Sequence, residues 1–264
     1  MYDFNYVRAS SLADAAKQAK SEEDAKIVAG GMTLIPTLKL RLAKPSSLID
    51  LGGLKDLVGI KVEGGKVTIG AMTTHGAVAS SAEVRRAIPA LAHLAAHIGD
   101  PAVRNRGTIG GSVANNDPAA DYPAGVLALG ATIVTNERSI AADDFFKGMF
   151  ETALKPGEVI TAISFPVPEK AAYQKFPNPA SRYAMVGVFV AKTSGGVRVA
   201  VTGAAPSVFR QKDMEAALAK KWAPEAVEGI KQKADGLNSD IHGSSEYRAH
   251  LVGVMAKRAV QAAG

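Results

Sequence analysis

Three observations predict an α+β fold. Residues 1–55 interleave short apolar strands with helical stretches, two later pairs of strand-like runs are each split by paired glycines, and the chain closes on an amphipathic helix. Its 264 residues, 47% hydrophobic and 21% charged, are enough for a sizeable core and for one large or two to three small domains.

The elements follow in order. Ser11 caps a helix over residues 11–20, with Asp14 three positions on at capping-box spacing. Residues 26–29 form a short strand that runs into two glycines. Residues 33–42 are helical, with Pro36 tolerated in the first turn. A strand over 47–51 completes a small α/β unit. Runs over 57–63 and 66–71 flank Gly64-Gly65, a hairpin with a two-residue turn. An alanine-rich helix covers 89–98 and another 119–129. Strands cover 131–135 and 158–165, the second stopped by Pro166 and Pro168. Beyond this boundary, 182–191 and 196–203 pair around Ser194-Gly195-Gly196. Helical stretches follow over 211–219, 224–233 and 245–263, and in the last Tyr247, Leu251, Met255 and Ala259 recur every four residues.

The net charge of +6 comes from scattered residues, which describes a mildly basic surface and not a nucleic-acid footprint. With no cysteine, the chain forms no disulfide, cysteine nucleophile or thiolate-held iron–sulfur cluster of its own. The start, Met1-Tyr2-Asp3-Phe4-Asn5-Tyr6, lacks the basic and apolar regions of a signal peptide, and no run is long enough to span a membrane. The expected location is cytoplasmic.

Two glycine-rich segments carry the chemistry. One is Ala29, Gly30, Gly31, Met32, Thr33 and Leu34; the other is Gly107, Thr108, Ile109, Gly110, Gly111 and Ser112, running on to Asp117 and Asp121. Glycine lets backbone approach a ligand and turn its N–H groups outward, and clustered N–H groups bind phosphate. Two such loops suit a diphosphate held from both sides, hence a dinucleotide; taken singly, each is also simply a tight turn. The G-x-G-x-x-G order is absent, and Gly65-Lys66 is followed by Val67, so neither a Rossmann fingerprint nor a P-loop is present. His93 and His97 stand one helical turn apart, but Leu94 occupies the place of a zincin's glutamate and no third ligand follows, so they read as structural. Asp100 and Asp117 precede prolines and shape turns, which leaves Asp121 for a ligand contact. Lys175, Ser181, Arg182 and Tyr183 form a polar, aromatic entrance to a strand, where the ring either covers a flat cofactor or fills core.

The segments Ala29-Gly30-Gly31-Met32-Thr33-Leu34-Ile35-Pro36, Ile69-Gly70-Ala71-Met72-Thr73-Thr74-His75, Arg104-Asn105-Arg106-Gly107-Thr108-Ile109-Gly110-Gly111-Ser112 and Asp117-Pro118-Ala119-Ala120-Asp121 together resemble the FAD-binding medium subunit of the xanthine dehydrogenase / carbon monoxide dehydrogenase family. Glu246-Tyr247-Arg248-Ala249-His250-Leu251 is similar to that family's terminal helix, so the resemblance spans the chain. It implies a two-subdomain FAD domain of the vanillyl-alcohol-oxidase-like (PCMH) type, divided over 1–55 and 56–168, and a small α+β C-terminal domain over 169–264. It implies FAD here, with the molybdenum cofactor on a large partner subunit and [2Fe–2S] clusters on a small one, in a dimer of heterotrimers. Electrons would pass from the clusters through FAD to an external acceptor; the rival is a stand-alone flavin oxidase or reductase of the same fold. Carried over residue by residue, the FAD contacts are the two loops named above, Val103, Asp121 at the ribose, Ile160 as an apolar wall, Lys175 near the flavin and Tyr183 beside it. No residue is expected to be catalytic. Met32 departs from a histidine typical of the carbon monoxide dehydrogenase branch, and the lack of cysteine excludes cysteinyl attachment of flavin.

Overall fold

The computed structural model describes all 264 residues. β1 (Asn5–Arg8), α1 (Leu12–Ser21), β2 (Lys26–Val28), α2 (Leu34–Lys39) and β3 (Ser47–Asp50) form the first unit, a parallel sheet in the order β1-β3-β2. Ser11 caps α1 as expected, accepting from the Asp14 amide at 3.1 Å. Asp14 reaches back to the Ser10 amide at 2.9 Å, one residue earlier than a capping box would have it. α2 stops at Lys39, short of the expected 42, because Arg41 takes a left-handed φ of 59° and turns the exposed Leu40 and Leu42 away from the sheet.

β4 (Ile60–Glu63) and β5 (Lys66–Gly70) are the expected hairpin, and Gly64 and Gly65 carry the positive φ values, 54° and 72°, that its turn requires. Six helices follow: α3 (His75–Ser80), α4 (Ala82–Ala87), α5 (Pro89–Ala96), α6 (Pro101–Arg106), α7 (Ile109–Asn115) and α8 (Tyr122–Ala128). Only α5 and α8 were legible in the sequence. Then come β6 (Thr132–Thr135), β7 (Ser139–Ala141), α9 (Ala142–Phe145), the short pair β8 (Phe146–Gly148) and β9 (Glu151–Thr152), and β10 (Ile160–Pro166). The sheet β4-β5-β10-β6-β7 is antiparallel throughout, with β10 at its centre.

The last unit is an antiparallel sheet of β11 (Lys170–Pro177), β12 (Ala184–Thr193), β13 (Gly196–Thr202) and β14 (Phe209–Arg210), packed against α10 (Lys212–Lys220) and α11 (Ser245–Ala263). The β12–β13 hairpin and both helices agree with expectation; β11 was not foreseen. The helix expected over 224–233 is only a 3-10 turn at Pro224–Val227, because Gly229 at φ 84° takes the chain out of any helix. A cluster of 16 buried residues fills the space between this sheet and its helices. The main cluster of 32 buried residues lies around β5, β10, α5 and α8, yet Tyr173, Phe189, Ala191 and Ala200 of the last sheet belong to it. The last two units therefore share a seam of core.

Candidate functional site

The first glycine loop leaves β2 at the buried Val28. Gly31 adopts φ 73°, a conformation that side chains rarely take, and its carbonyl accepts from the Ile35 amide at 3.0 Å to start α2. The amides of Gly30, Gly31, Met32 and Thr33 donate to no protein acceptor. Gly30 lies against the second loop so closely that a Cβ would sit 2.0 Å from the Arg106 carbonyl oxygen and 2.8 Å from Gly107 Cα. Across the gap, a Cβ on Gly111 would meet Thr108 Oγ1 at 2.9 Å and the Ala29 Cβ at 3.6 Å. The two loops expected to cooperate do meet, and the lack of a side chain at Gly30 is what lets them come this close.

The loops do not contribute equally. Both were expected to present backbone N–H groups, but in the second loop most are spent on the fold. Ile109 donates to Thr73 (3.1 Å) and Gly110 to Ala71 (2.9 Å), locking the start of α7 onto the turn after β5. Gly111 donates to the Thr108 hydroxyl, the N-cap of α7, at 3.2 Å. This loop offers the half-buried Ser112 and the closeness of Gly111, while the first supplies the run of unpaired amides. Beneath it, the His75 amide donates to the Gly107 carbonyl at 2.9 Å. The imidazole is buried, and burial, with Arg104 adding to it, pushes its pKa down to about 4, so it is neutral. Gly107 has to lack a side chain because its Cβ would be 2.6 Å from His75 Nε2.

Tyr183 stands beside the first loop. Its phenol is pushed up chiefly by burial and then by Asp117, with the Thr33 hydroxyl opposing. Its ring, 43% exposed, lines a cavity of about 430 Å³ with Asp117, Phe150, Asn178, Met185 and Arg248. Burial pushes the Asp117 carboxyl up, against the bond it accepts from the Ala119 amide at 2.8 Å. Sequence reasoning missed Asn116. At φ 44° its side-chain amide donates to the Gly148 and Glu151 carbonyls, both at 2.8 Å, fixing the turn whose exposed Phe150 rims this cavity.

The remaining expected contacts lie deeper. Asp121 is 4% exposed and faces inward, accepting from the Tyr173 hydroxyl at 2.6 Å and from Lys175 Nζ at 2.9 Å. Burial raises its carboxyl pKa against the pull of Lys175. Lys175 also donates to the His97 carbonyl at 3.0 Å. The pair joins β11 to the start of α8 and supports the wall behind the loops. Val103 is half-buried on α6 beneath Gly99, and Ile160 is buried in the main core at the start of β10. The His93 and His97 rings lie 4.2 Å apart, tilted by 44°, and His97 Nδ1 donates to the His93 carbonyl at 2.8 Å, so that nitrogen is not free for a metal.

A cradle of unpaired amides between two side-chain-free faces fits a diphosphate, whose charge the N–H dipoles meet and whose bulk a Cβ would exclude. Residues 2–168 match the family described as the FAD binding domain in molybdopterin dehydrogenase, and residues 171–263 match the CO dehydrogenase flavoprotein C-terminal domain. The carbon monoxide dehydrogenase medium chain of Afipia carboxidovorans is 38% identical, over 98% of this chain and 96% of that protein. The nicotine 6-hydroxylase medium subunit of Paenarthrobacter nicotinovorans is 36% identical, over 98% and 96%. Among solved structures, carbon monoxide dehydrogenase from Hydrogenophaga pseudoflava superposes with a TM-score of 0.91 at 38% identity, covering 99% of this chain and 97% of that one. Quinoline 2-oxidoreductase from Pseudomonas putida 86 gives 0.88 at 31% identity, over 99% and 97%. No helix is long and apolar enough to cross a membrane.

Proposed function

This chain belongs to the FAD-binding medium subunits of the xanthine dehydrogenase / carbon monoxide dehydrogenase family, the flavoprotein components of molybdenum hydroxylases, and from that membership we propose that it relays electrons between partner subunits and an external acceptor. The large partner would carry the molybdenum cofactor and the small partner [2Fe–2S] clusters, in a dimer of heterotrimers. We read the complex as cytoplasmic, which cell fractionation tests. When bound, FAD supplies redox chemistry that no amino-acid side chain provides.

What this chain supplies is position and charge. The amides of Gly30, Gly31, Met32 and Thr33 would take the diphosphate charge, with Ala29 and Leu34 bounding the loop. Gly111 would leave room for phosphate oxygens, and Ser112 would add a hydroxyl donor beside them. Tyr183 presents an aromatic face at the cavity next to the first loop, where it can shield a flat ring from water. Asp121 and Lys175 act through each other, holding β11 and α8 in register behind the site. Val103 and Ile160 contribute apolar bulk behind it.

The unpaired amide run facing Gly111 carries this reading. It is tested by saturating the purified chain with FAD, desalting it, and recording its absorption spectrum beside that of Gly111→Val. The wild-type chain should retain non-covalent, stoichiometric FAD. The variant should keep the same far-ultraviolet circular dichroism and lose the flavin, because the valine fills the phosphate space. Equal retention by both would remove the second loop from the site.

A further inference from the structure

The turn that ends α2 leaves apolar side chains in water. The Leu42 amide donates to the Thr37 carbonyl and the Arg41 amide to the Leu38 carbonyl, both at 3.0 Å, the paired bonds of a Schellman stop. Such a stop needs one left-handed residue, usually glycine, and here Arg41 fills it at φ 59°. The hydrophobic contact that normally accompanies the motif is not made. Leu42 stands at its outer position, but the inner position is the polar Thr37, and Leu42 is 73% exposed. Leu40, on the other side of Arg41, is 70% exposed. The fold satisfies the backbone of this turn and leaves both leucines unused.

Charge surrounds them. Lys39, Arg41 and Lys44 are exposed, and none takes part in a salt bridge. The Arg41 guanidinium and the Lys44 ammonium sit over the ring of the exposed Tyr2, 5.5 and 5.6 Å from its centroid, which joins that ring to the same patch. Segments 1–6 and 36–46 carry these three cations and one carboxylate, Asp3, a surplus of two positive charges. Single exposed leucines need no explanation, but several apolar side chains together, rimmed by charge of one sign, mark an interaction surface.

The charge selects what covers it. A symmetric contact with a second copy would set these cations against their own counterparts, and the chain as a whole carries +6, so the patch suits an acidic surface. Its position selects further. α2 has six residues, about 9 Å of helix, and its other end starts at the unpaired amides of the first glycine loop. A partner seated on the patch therefore lies one short helix from the cofactor cradle. Electron transfer falls off steeply with distance, so the partner that needs this place is the one that hands electrons to the flavin.

We propose that Leu40, Arg41 and Leu42, with Tyr2 and Lys44, form the docking surface for an acidic face of the small [2Fe–2S] subunit, an inference that rests on the electron relay proposed above. The two leucines supply the water-excluding centre of the contact, and Arg41 and Lys44 meet carboxylates at its rim. The left-handed backbone at Arg41 is what holds the leucines outward in the free chain, so the surface is formed before the partner arrives.

The test uses the full-length chain, its small [2Fe–2S] subunit and its large subunit, each purified from co-expressed complex, with affinities measured by calorimetry at two salt concentrations. The wild-type chain should bind the small subunit, more weakly at high salt. Leu42→Asp and Arg41→Glu should each lower that affinity about tenfold or more, the range of a central interface residue. Both variants should keep the wild-type melting temperature and FAD retention, because their side chains lie outside the core and the cradle. Wild-type affinity in both variants would overturn the proposal and leave the relay standing. Loss of affinity for the large subunit alone, or a dimer of the isolated chain that Leu42→Asp dissolves, would also overturn it by giving the patch to another occupant. A wild-type chain that binds no [2Fe–2S] subunit would sink the relay as well, so the two failures are told apart by the wild-type titration.

Discussion

At the scale of single residues, the Asp121–Lys175 pair shows what a buried ion pair does for this protein. Both side chains are almost wholly enclosed, 4% and 5% exposed, and Tyr173 adds a third partner at 2.6 Å. Removing both charges together is often neutral, whereas removing one leaves the other uncompensated. The two halves are not equivalent. Burial already raises the Asp121 carboxyl pKa, so without the lysine it can take a proton and keep its tyrosine partner. Lysine without the carboxylate keeps only one partner, the His97 carbonyl. Asp121→Leu should therefore lose about 3 kcal/mol of stability, Lys175→Met clearly less, and the double variant should recover most of the difference. Urea unfolding of the four proteins closes the cycle, and additive losses would show that the pair is not coupled. The sequence separates these residues by 54 positions. It named both as ligand contacts through family resemblance, but nothing local shows that they face each other across a seam.

At the scale of elements, what was legible follows physical signal strength. The β4–β5 hairpin could be read because Gly64 and Gly65 supply the two positive φ values a tight turn needs. α11 could be read because 19 residues give its apolar stripe room to repeat. The short helices α3, α4, α6 and α7 have six or seven residues each, under two turns, so no periodicity accumulates. β11 escaped because its pattern of lysines, alanines and aromatics alternates poorly, its faces being set by the sheet and by α11. The amide usage of the second glycine loop escaped for a related reason. Its partners Thr73 and Ala71 lie on the turn after β5, contacts across 36 and 39 residues that glycine spacing alone does not encode. The junction of β6 with the approach to β10 carries an element-scale prediction. Glu158 accepts from Arg138 at 2.8 and 3.0 Å, from Thr135 at 2.9 Å and from the Lys155 amide at 2.9 Å. Its carboxyl is held down at about 2, first by the Arg138 hydrogen bonds, against an ordinary value of 4.5. A group whose folded pKa is lowered stabilises the fold fully above its unfolded pKa and loses that contribution as pH falls through the folded one. Thermal stability should therefore decline as pH drops from 4.5 toward 2, and Glu158→Gln should flatten this limb while melting lower at neutral pH. A pH series of melting curves decides the matter; parallel acid limbs in the two proteins would show that Glu158 is not the titrating group.

At the scale of the whole molecule, the chain reads as three consecutive units, but its cores do not respect that division. The family matches meet between 168 and 171, and Pro166 and Pro168 make a plausible seam in sequence. In space, Tyr173 and Phe189 stack with centroids 6.1 Å apart inside the main core, and Gly187 must be glycine because a Cβ would sit 2.3 Å from the Tyr173 hydroxyl. Arg198 from β13 crosses the seam to the Leu127 carbonyl at 2.8 Å and to Asp143 at 2.6 Å, and Thr202 bonds the Ala120 carbonyl at 2.6 Å. The last sheet thus closes the core beneath α5 and α8, the helix that starts beside Asp121. Cutting the chain after residue 168 would expose the faces of α5 and α8 that this sheet covers and remove both Lys175 and Tyr183. Each large apolar side chain left in water forfeits roughly 1.5–3 kcal/mol, and a few such losses match the whole stability of an ordinary domain. A 1–168 fragment should therefore lack a cooperative melting transition, bind a hydrophobic dye and retain no FAD, whereas the full chain should melt in one transition that FAD raises by mass action. If the fragment instead melts cooperatively and holds flavin, the seam is an interface between self-sufficient domains, and the C-terminal sheet acts on the site only by covering it.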